Sequence, residues 1–164
     1  MEIRKTTAND IDAIMDIFTS AKCYMKANGN ASQWDDNYPG RDTLDNDIAN
    51  GNSYVFIDNG EVVGTFAFIC GEDETYRVIE NGAWRSDAPY GTVHRLASNG
   101  SVRGLSKACF DFCTAKVSYL RADTHVDNRT MQQLLEDYGF QKCGTIHSFD
   151  GLPTFRNTSQ AVAS

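Results

Sequence analysis

The sequence predicts an α+β fold. Three observations carry that expectation: apolar residues at helical spacing near both ends of the chain, two β-rich runs joined by Asn59-Gly60, and a strand at 92–98 whose Gly/Ser-rich turn opens a helix. A chain of 164 residues suits one domain and buries roughly two-thirds of its unfolded surface. The apolar share of 41% and charged share of 23% are those of an ordinary globular protein.

A first strand begins at Ile3, after which Asn9 or Asp10 caps a helix that sets Ile11, Ile14, Met15, Phe18 and Met25 on one side. That helix ends near Asn28-Gly29. Residues 30–42 are polar but hold Gln33-Trp34 and Tyr38-Pro39, which reads as a loop with two large aromatics. A short helix over 43–49 stops at Asn50-Gly51. Strands follow at 54–57 and 62–70, and the Asn-Gly between them is the strongest short-range hairpin signal, so the two pair antiparallel.

Residues 71–91 are acidic and turn-rich and contain Trp84; connections this long inside a domain tend to be functional or mobile, and this one is a candidate cover for a site. The strand at 92–98 sets Val93 and Leu96 three apart, which strict alternation forbids, and a bulge between them places both on the core face. The next helix shows Leu105, Ala108, Cys109, Phe112, Cys113 and Lys116 at helical spacing. A strand at 119–126 leads to a helix that begins at Asn128, aligns Met131, Leu134, Leu135 and Tyr138, and closes at Gly139. Strands at 140–149 and 154–156 complete a single domain over 1–156, followed by a polar tail over 157–164.

The formal charge of −7 argues against a nucleic-acid partner, which demands a basic face. No apolar run approaches the roughly 20 residues needed to cross a bilayer, and the N-terminal residues lack the apolar core of a secretory signal. A cytoplasmic protein with no membrane partner is expected. The five cysteines are scattered in an odd count, which gives neither a disulfide framework nor a metal site. Cys109 and Cys113, four apart on one helix, read as small apolar groups in the core.

The most informative segment is 92–112, because a strand, a Gly-rich turn and a helix N-terminus place unpaired backbone N–H groups and the positive end of the helix dipole around one point. Such a point suits a phosphate. Arg95, Arg103 and Lys107 add local positive charge to an otherwise acidic chain.

The order of elements resembles the GNAT superfamily of acyl-CoA-dependent N-acetyltransferases over nearly the whole chain. The resemblance is carried by Leu96-Ala97-Ser98 before the turn and by Asn128 through Gly139-Phe140, while Trp34 with Tyr38-Pro39, the run His94-Arg95-Leu96-Ala97-Ser98, and Asp123-Thr124-His125 with Asn128 and Met131-Gln132 resemble a bacterial subgroup of that superfamily. It implies a three-layer arrangement in which a mixed, mostly antiparallel sheet of six to seven strands, its fourth bulged, is flanked by about four helices. It also implies acetyl-CoA as co-substrate, held at Leu96, Ala97, Ser98, Arg103, Gly104, Leu105, Ser106, Lys107 and Asn128, and no metal.

The implied chemistry is attack of a neutral amine on the thioester, with the Leu96 backbone N–H stabilising the oxyanion. His94 is the first choice of general base and His125 the second. Trp34, Tyr38 and Trp84 lie on loops that such proteins use around the acceptor, an amine of a small molecule, amino acid or peptide; filling the domain surface is the other reading of these aromatics. A monomer or homodimer is expected.

Two departures stand out. Of the family's loop pattern, only the middle glycine survives in Ser101-Val102-Arg103-Gly104-Leu105-Ser106, and the position that often carries a tyrosine acid is Leu135. Two other readings therefore stay open: a catalytically silent acyl-CoA-binding or sensing domain, and an interaction module that has lost the cofactor.

Overall fold

A computed structural model of the chain describes residues 1–31, 33–147 and 155–162. In chain order its elements are β1 (Glu2–Lys5), α1 (Ile11–Ala27), α2 (Arg41–Ala49), β2 (Ser53–Asp58), β3 (Glu61–Cys70), β4 (Gly91–Ser98), α3 (Leu105–Thr114), β5 (Tyr119–His125), α4 (Arg129–Tyr138), β6 (Gln141–His147) and β7 (Phe155–Val162). Single 3-10 turns occupy Ala8–Asp10 and Glu74–Tyr76. The strand order is β1-β2-β3-β4-β5-β7-β6. β4 pairs with β5 in parallel, whereas β1–β2, β2–β3, β5–β7 and β7–β6 are antiparallel. This is the α+β class expected, with four α-helices and a mixed sheet. The chain divides into two units, Met1–Phe68 with His94–Ser106, and Ile69–Val93 with Lys107–Ser164.

In the first unit, Ile14, Ile17 and Phe18 of α1 pack with Trp34, Leu44 of α2, Val55 of β2 and Ala97 of β4. Asp10 stands at the N-cap of α1 as expected but makes no side-chain bond to the helix; its carboxylate instead accepts from the Thr7 N–H at 2.7 Å and from both Arg4 terminal nitrogens at 2.8 and 3.0 Å. The β2–β3 hairpin turns through Asn59 and Gly60 with φ of 50° and 79°, the left-handed pair that a two-residue turn needs. In β3, Gly64 is closely enclosed: a Cβ would lie 2.9 Å from Leu105 Cδ1 and Phe56 Cδ2 and 3.0 Å from the Ala97 carbonyl oxygen, so its neighbours would have to shift.

In the second unit, α3 buries Cys109, Phe110 and Cys113, and burial pushes the Cys109 thiol well above its ordinary pKa. Phe110, absent from the expected apolar face, meets Phe140 at 5.0 Å and Tyr138 at 5.1 Å between ring centroids. Lys116 lies past the end of the helix and is exposed, its ammonium 4.6 Å from the Phe112 ring centroid. α4 has the ends expected: the Asn128 side chain accepts from the Met131 N–H at 3.0 Å, and Gly139 closes the helix at φ 114°.

The connection between β3 and β4 is folded rather than loose. Tyr90 Oη accepts from the Asp73 N–H at 2.7 Å, the Trp84 indole N–H donates to the Tyr76 carbonyl at 2.9 Å, and Glu80 exchanges two backbone hydrogen bonds of 2.8 Å with Thr145 of β6. A Cβ on Gly82 would overlap the Cys143 carbonyl, so only glycine permits this approach. The segment thereby pairs with the edge strand β6.

Two strand expectations need correction. Residues 157–162, read as part of a polar tail, belong to β7, which pairs with β5 on one side and β6 on the other. Its sequence lacks an apolar run, and backbone pairing on both sides supplies what hydrophobic pattern does not. The expected bulge in β4 is present, with φ of 55° at Arg95, but Leu96 is only half-buried and Ala97 is the residue that joins the core. The expected strand positions 148, 149 and 154 and the tail residues 163 and 164 lie outside the described residues.

Candidate active site

The first unit holds the bulge, the turn and the start of α3. Arg95 carries a side chain in the left-handed region, a conformation that costs roughly 1–2 kcal/mol for a residue with a Cβ. An ion pair offsets that cost. Arg95 Nε donates to Asp47 Oδ2 at 2.8 Å, Nη2 to Oδ1 at 2.6 Å, and Nη1 to Tyr38 Oη at 3.2 Å. Although burial opposes the charge on Arg95, the Tyr38 and Asp47 contacts prevail and raise its pKa.

Beyond Ser98 the turn is shaped by its own side chains: Asn99 Oδ1 accepts from the Ser101 N–H at 2.9 Å and the Ser101 hydroxyl at 2.6 Å. Gly100 and Gly104 take φ of 80° and 82°, and a Cβ on Gly104 would meet nothing within 4 Å. The chain then enters α3, whose first-turn N–H groups at Leu105 and Ser106 have no partner within the helix by geometry. An exposed Arg103 stands one residue before Gly104. An open glycine corner ahead of a helix start is a general setting for phosphate binding.

Of the other expected site residues in this unit, Ser98 accepts weakly from the Gly100 N–H at 3.3 Å, and His94 is half-buried on β4 directly before the bulge. Trp34 does not face an acceptor. It is 5% exposed, edge-on to Phe18 at 5.8 Å, and belongs to the core. Tyr38 is half-buried, its hydroxyl engaged by Arg95.

In the second unit, His125 is 7% exposed and its Nδ1 accepts the Asp127 N–H at 3.1 Å. Nδ1 also lies 3.4 Å from the Asp127 carboxylate, so this nitrogen is engaged within its own turn. Its carbonyl accepts from the Gln132 side chain at 3.1 Å, which makes it part of the turn into α4. The Asn128 side-chain oxygen is committed to the α4 cap, and Lys107 to Asp111 at 2.6 Å one turn along α3.

Trp84 and Tyr90 hold the Arg121 guanidinium between their rings, 4.0 and 3.8 Å from the centroids. The cation that these aromatics face is therefore the protein's own. Arg121 is 4% exposed and donates to the Ser86 carbonyl at 2.8 Å, and burial lowers its pKa. Beside it, the Tyr76 hydroxyl donates to Asp123 at 2.6 Å; burial, then the Asp123 charge, raises the phenol well above its usual pKa. Leu135 is buried, as a core residue would be. Tyr138 bonds to Asp111 at 2.9 Å and contacts the Thr114 hydroxyl at 3.2 Å.

No protein-family model and no curated protein matches the chain. Solved structures do. An acetyltransferase of the GNAT family from Streptococcus agalactiae is 32% identical over 99% of this chain and 95% of that one, with a TM-score of 0.85. The chain belongs to the GNAT acetyltransferase family. A GNAT-family acetyltransferase from Listeria monocytogenes, 22% identical over 98% of this chain and 94% of that one, has a TM-score of 0.70. A ribosomal-protein-alanine N-acetyltransferase from Brucella melitensis, 20% identical over 99% of each chain, has a TM-score of 0.60. These last two show the shared fold alone.

Within this GNAT protein the sequence marks the bulge, its turn and, through the resemblance, Asp123, but not Asp47, Tyr76 or Arg121. Asp47 lies three residues after Leu44 on α2, on the inward side of the helix, so a buried carboxylate there was a readable signal.

Proposed function

We propose that this protein transfers an acetyl group from acetyl-CoA to a primary amine of a small molecule, amino acid or peptide, by direct attack of the amine on the thioester. The observation that carries the reading is the left-handed bulge at Arg95, which leads through an open glycine turn to the start of α3. Acetyl-CoA, when bound, supplies an activated carbonyl. The amides at Leu105 and Ser106, with Arg103, would hold its diphosphate. The Leu96 N–H, the first beyond the bulge, would donate to the carbonyl oxygen as charge develops there; one such donor is worth about 3 kcal/mol. His94 would take the proton from the acceptor's ammonium, since His125 has its Nδ1 engaged within its own turn.

A second reading draws on Leu135 and Tyr138. With an apolar residue at one position and a phenol already bonded to Asp111 at the other, neither is arranged to protonate a departing thiolate. This favours a protein that binds acyl-CoA and signals its presence. Calorimetry with acetyl-CoA followed by a thiol-release assay over a panel of amines separates the two. Binding with turnover supports acetyl transfer, binding without turnover across the panel supports sensing, and failure to bind removes both.

A further inference from the structure

We infer that Arg95 is a positioning residue: clamped by Asp47 and Tyr38, its side chain holds β4 in the left-handed kink that sets the direction of the Leu96 amide. The inference deepens the acetyl-transfer reading and rests on it. Among the described residues only three non-glycine residues have positive φ, namely Asn59, Asn81 and Arg95. Asparagine visits this region readily, whereas a long unbranched side chain within a strand does so only when its surroundings hold it.

The surroundings are specific. The Asp47 carboxylate, 8% exposed, takes two nitrogens of a guanidinium that is itself 11% exposed, and the Tyr38 hydroxyl takes the third. Water has little access to either charge. Were Arg95 to relax to the negative φ of a regular strand, its side chain would leave that fork and strand both charges in a buried setting, which is strongly unfavourable. Kink and ion pair therefore stabilise each other. The peptide that follows the kinked residue bears the Leu96 N–H, so the direction of that donor depends on a side chain anchored in α2 and in the α1–α2 connection. An amide that merely continued a regular ladder would need no such anchor.

Glycine and alanine at position 95 separate this role from simple support. Both delete the guanidinium, but only glycine takes φ near +55° without cost. In an Asp47→Asn background, which avoids an unpaired carboxylate, Arg95→Ala is expected to lower kcat about 100-fold, as loss of an oxyanion donor does, with the KM for acetyl-CoA changed less than about threefold. Arg95→Gly in the same background is expected to recover at least about tenfold of that loss. Equal kcat for the two, in a protein whose wild type turns over an amine, overturns the inference and leaves the acetyl-transfer reading standing. A wild type that binds acetyl-CoA but turns over no amine overturns both. Tyr38→Phe removes one oxygen and supplies the test if the double variants do not fold: a fall in kcat of about threefold or more at unchanged melting temperature supports the clamp, and an unchanged kcat counts against it.

Discussion

The Asp10 carboxylate ties together three groups of the first ten residues: Arg4 on β1, the Thr7 backbone, and the start of α1. Its hydrogen bonds to Arg4, aided by those from Thr7, outweigh burial and hold its pKa below the ordinary value of about 3.9. A depressed carboxylate contributes stability that is complete above the unfolded pKa and is lost as pH falls through the lower folded one. Asp10→Asn should therefore cost about 1 kcal/mol near neutrality, allowing for solvent around the part-exposed Arg4, and the gap in melting temperature should narrow and close as pH falls below the ordinary carboxylate range. A gap that stays constant with pH would mean that shape rather than charge matters there. His94 offers a second test at this scale. A positioned general base is worth about 10²–10⁴ in rate, so His94→Ala should lower kcat by about 100-fold or more with little change in the KM for acetyl-CoA. An unchanged kcat excludes it as the base.

At the level of elements, what was legible in the sequence was local. Helix α4 is bounded by Asn128 and Gly139, and the β2–β3 hairpin by Asn59 and Gly60, because cap and turn chemistry acts within a few residues. β7 was not legible beyond Arg156, since its pairing with β5 and β6 depends on strands that end 30 and 8 residues before it begins. The Arg95–Asp47 pair, 48 residues apart, and Arg121 between Trp84 and Tyr90 were hidden for the same reason. The aromatics were visible in the sequence, but nothing local said that Trp34 would be core or that Trp84 would face a resident guanidinium. Two glycines show how differently one residue type is used. Gly64 has neighbours within 3.0 Å of any Cβ, so Gly64→Ala should cost about 1–3 kcal/mol in urea unfolding through overpacking against Leu105 and Phe56. Gly104 has open space, so Gly104→Glu should lose only about 1 kcal/mol through its positive φ, leave the circular dichroism unchanged, and place a carboxylate where the diphosphate is proposed to rest. Acetyl-CoA affinity that survives Gly104→Glu would move the cofactor away from this turn.

For the molecule as a whole, net charge and ligand act against each other. A chain with formal charge −7 repels a polyanion at long range, so acetyl-CoA, as the proposed co-substrate, would have to gain its affinity from backbone amides and the few cations close to α3. Among the described residues, Lys107 is already paired with Asp111, which leaves the weight on Arg103 and the helix-start N–H groups. Those groups exist in this arrangement only in the folded chain, so bound ligand must appear as added stability. At a free concentration 100 times its dissociation constant, a ligand specific for the native state adds about 2.7 kcal/mol, which for a chain of this size raises the melting temperature by about 5–11 °C. Acetyl-CoA should produce that shift in the wild type and none in Gly104→Glu, while CoA without the acetyl group should produce most of it, because the diphosphate is common to both. A wild type that gains no stability from either compound would be the interaction module of the third reading, its glycine turn retained as a connector.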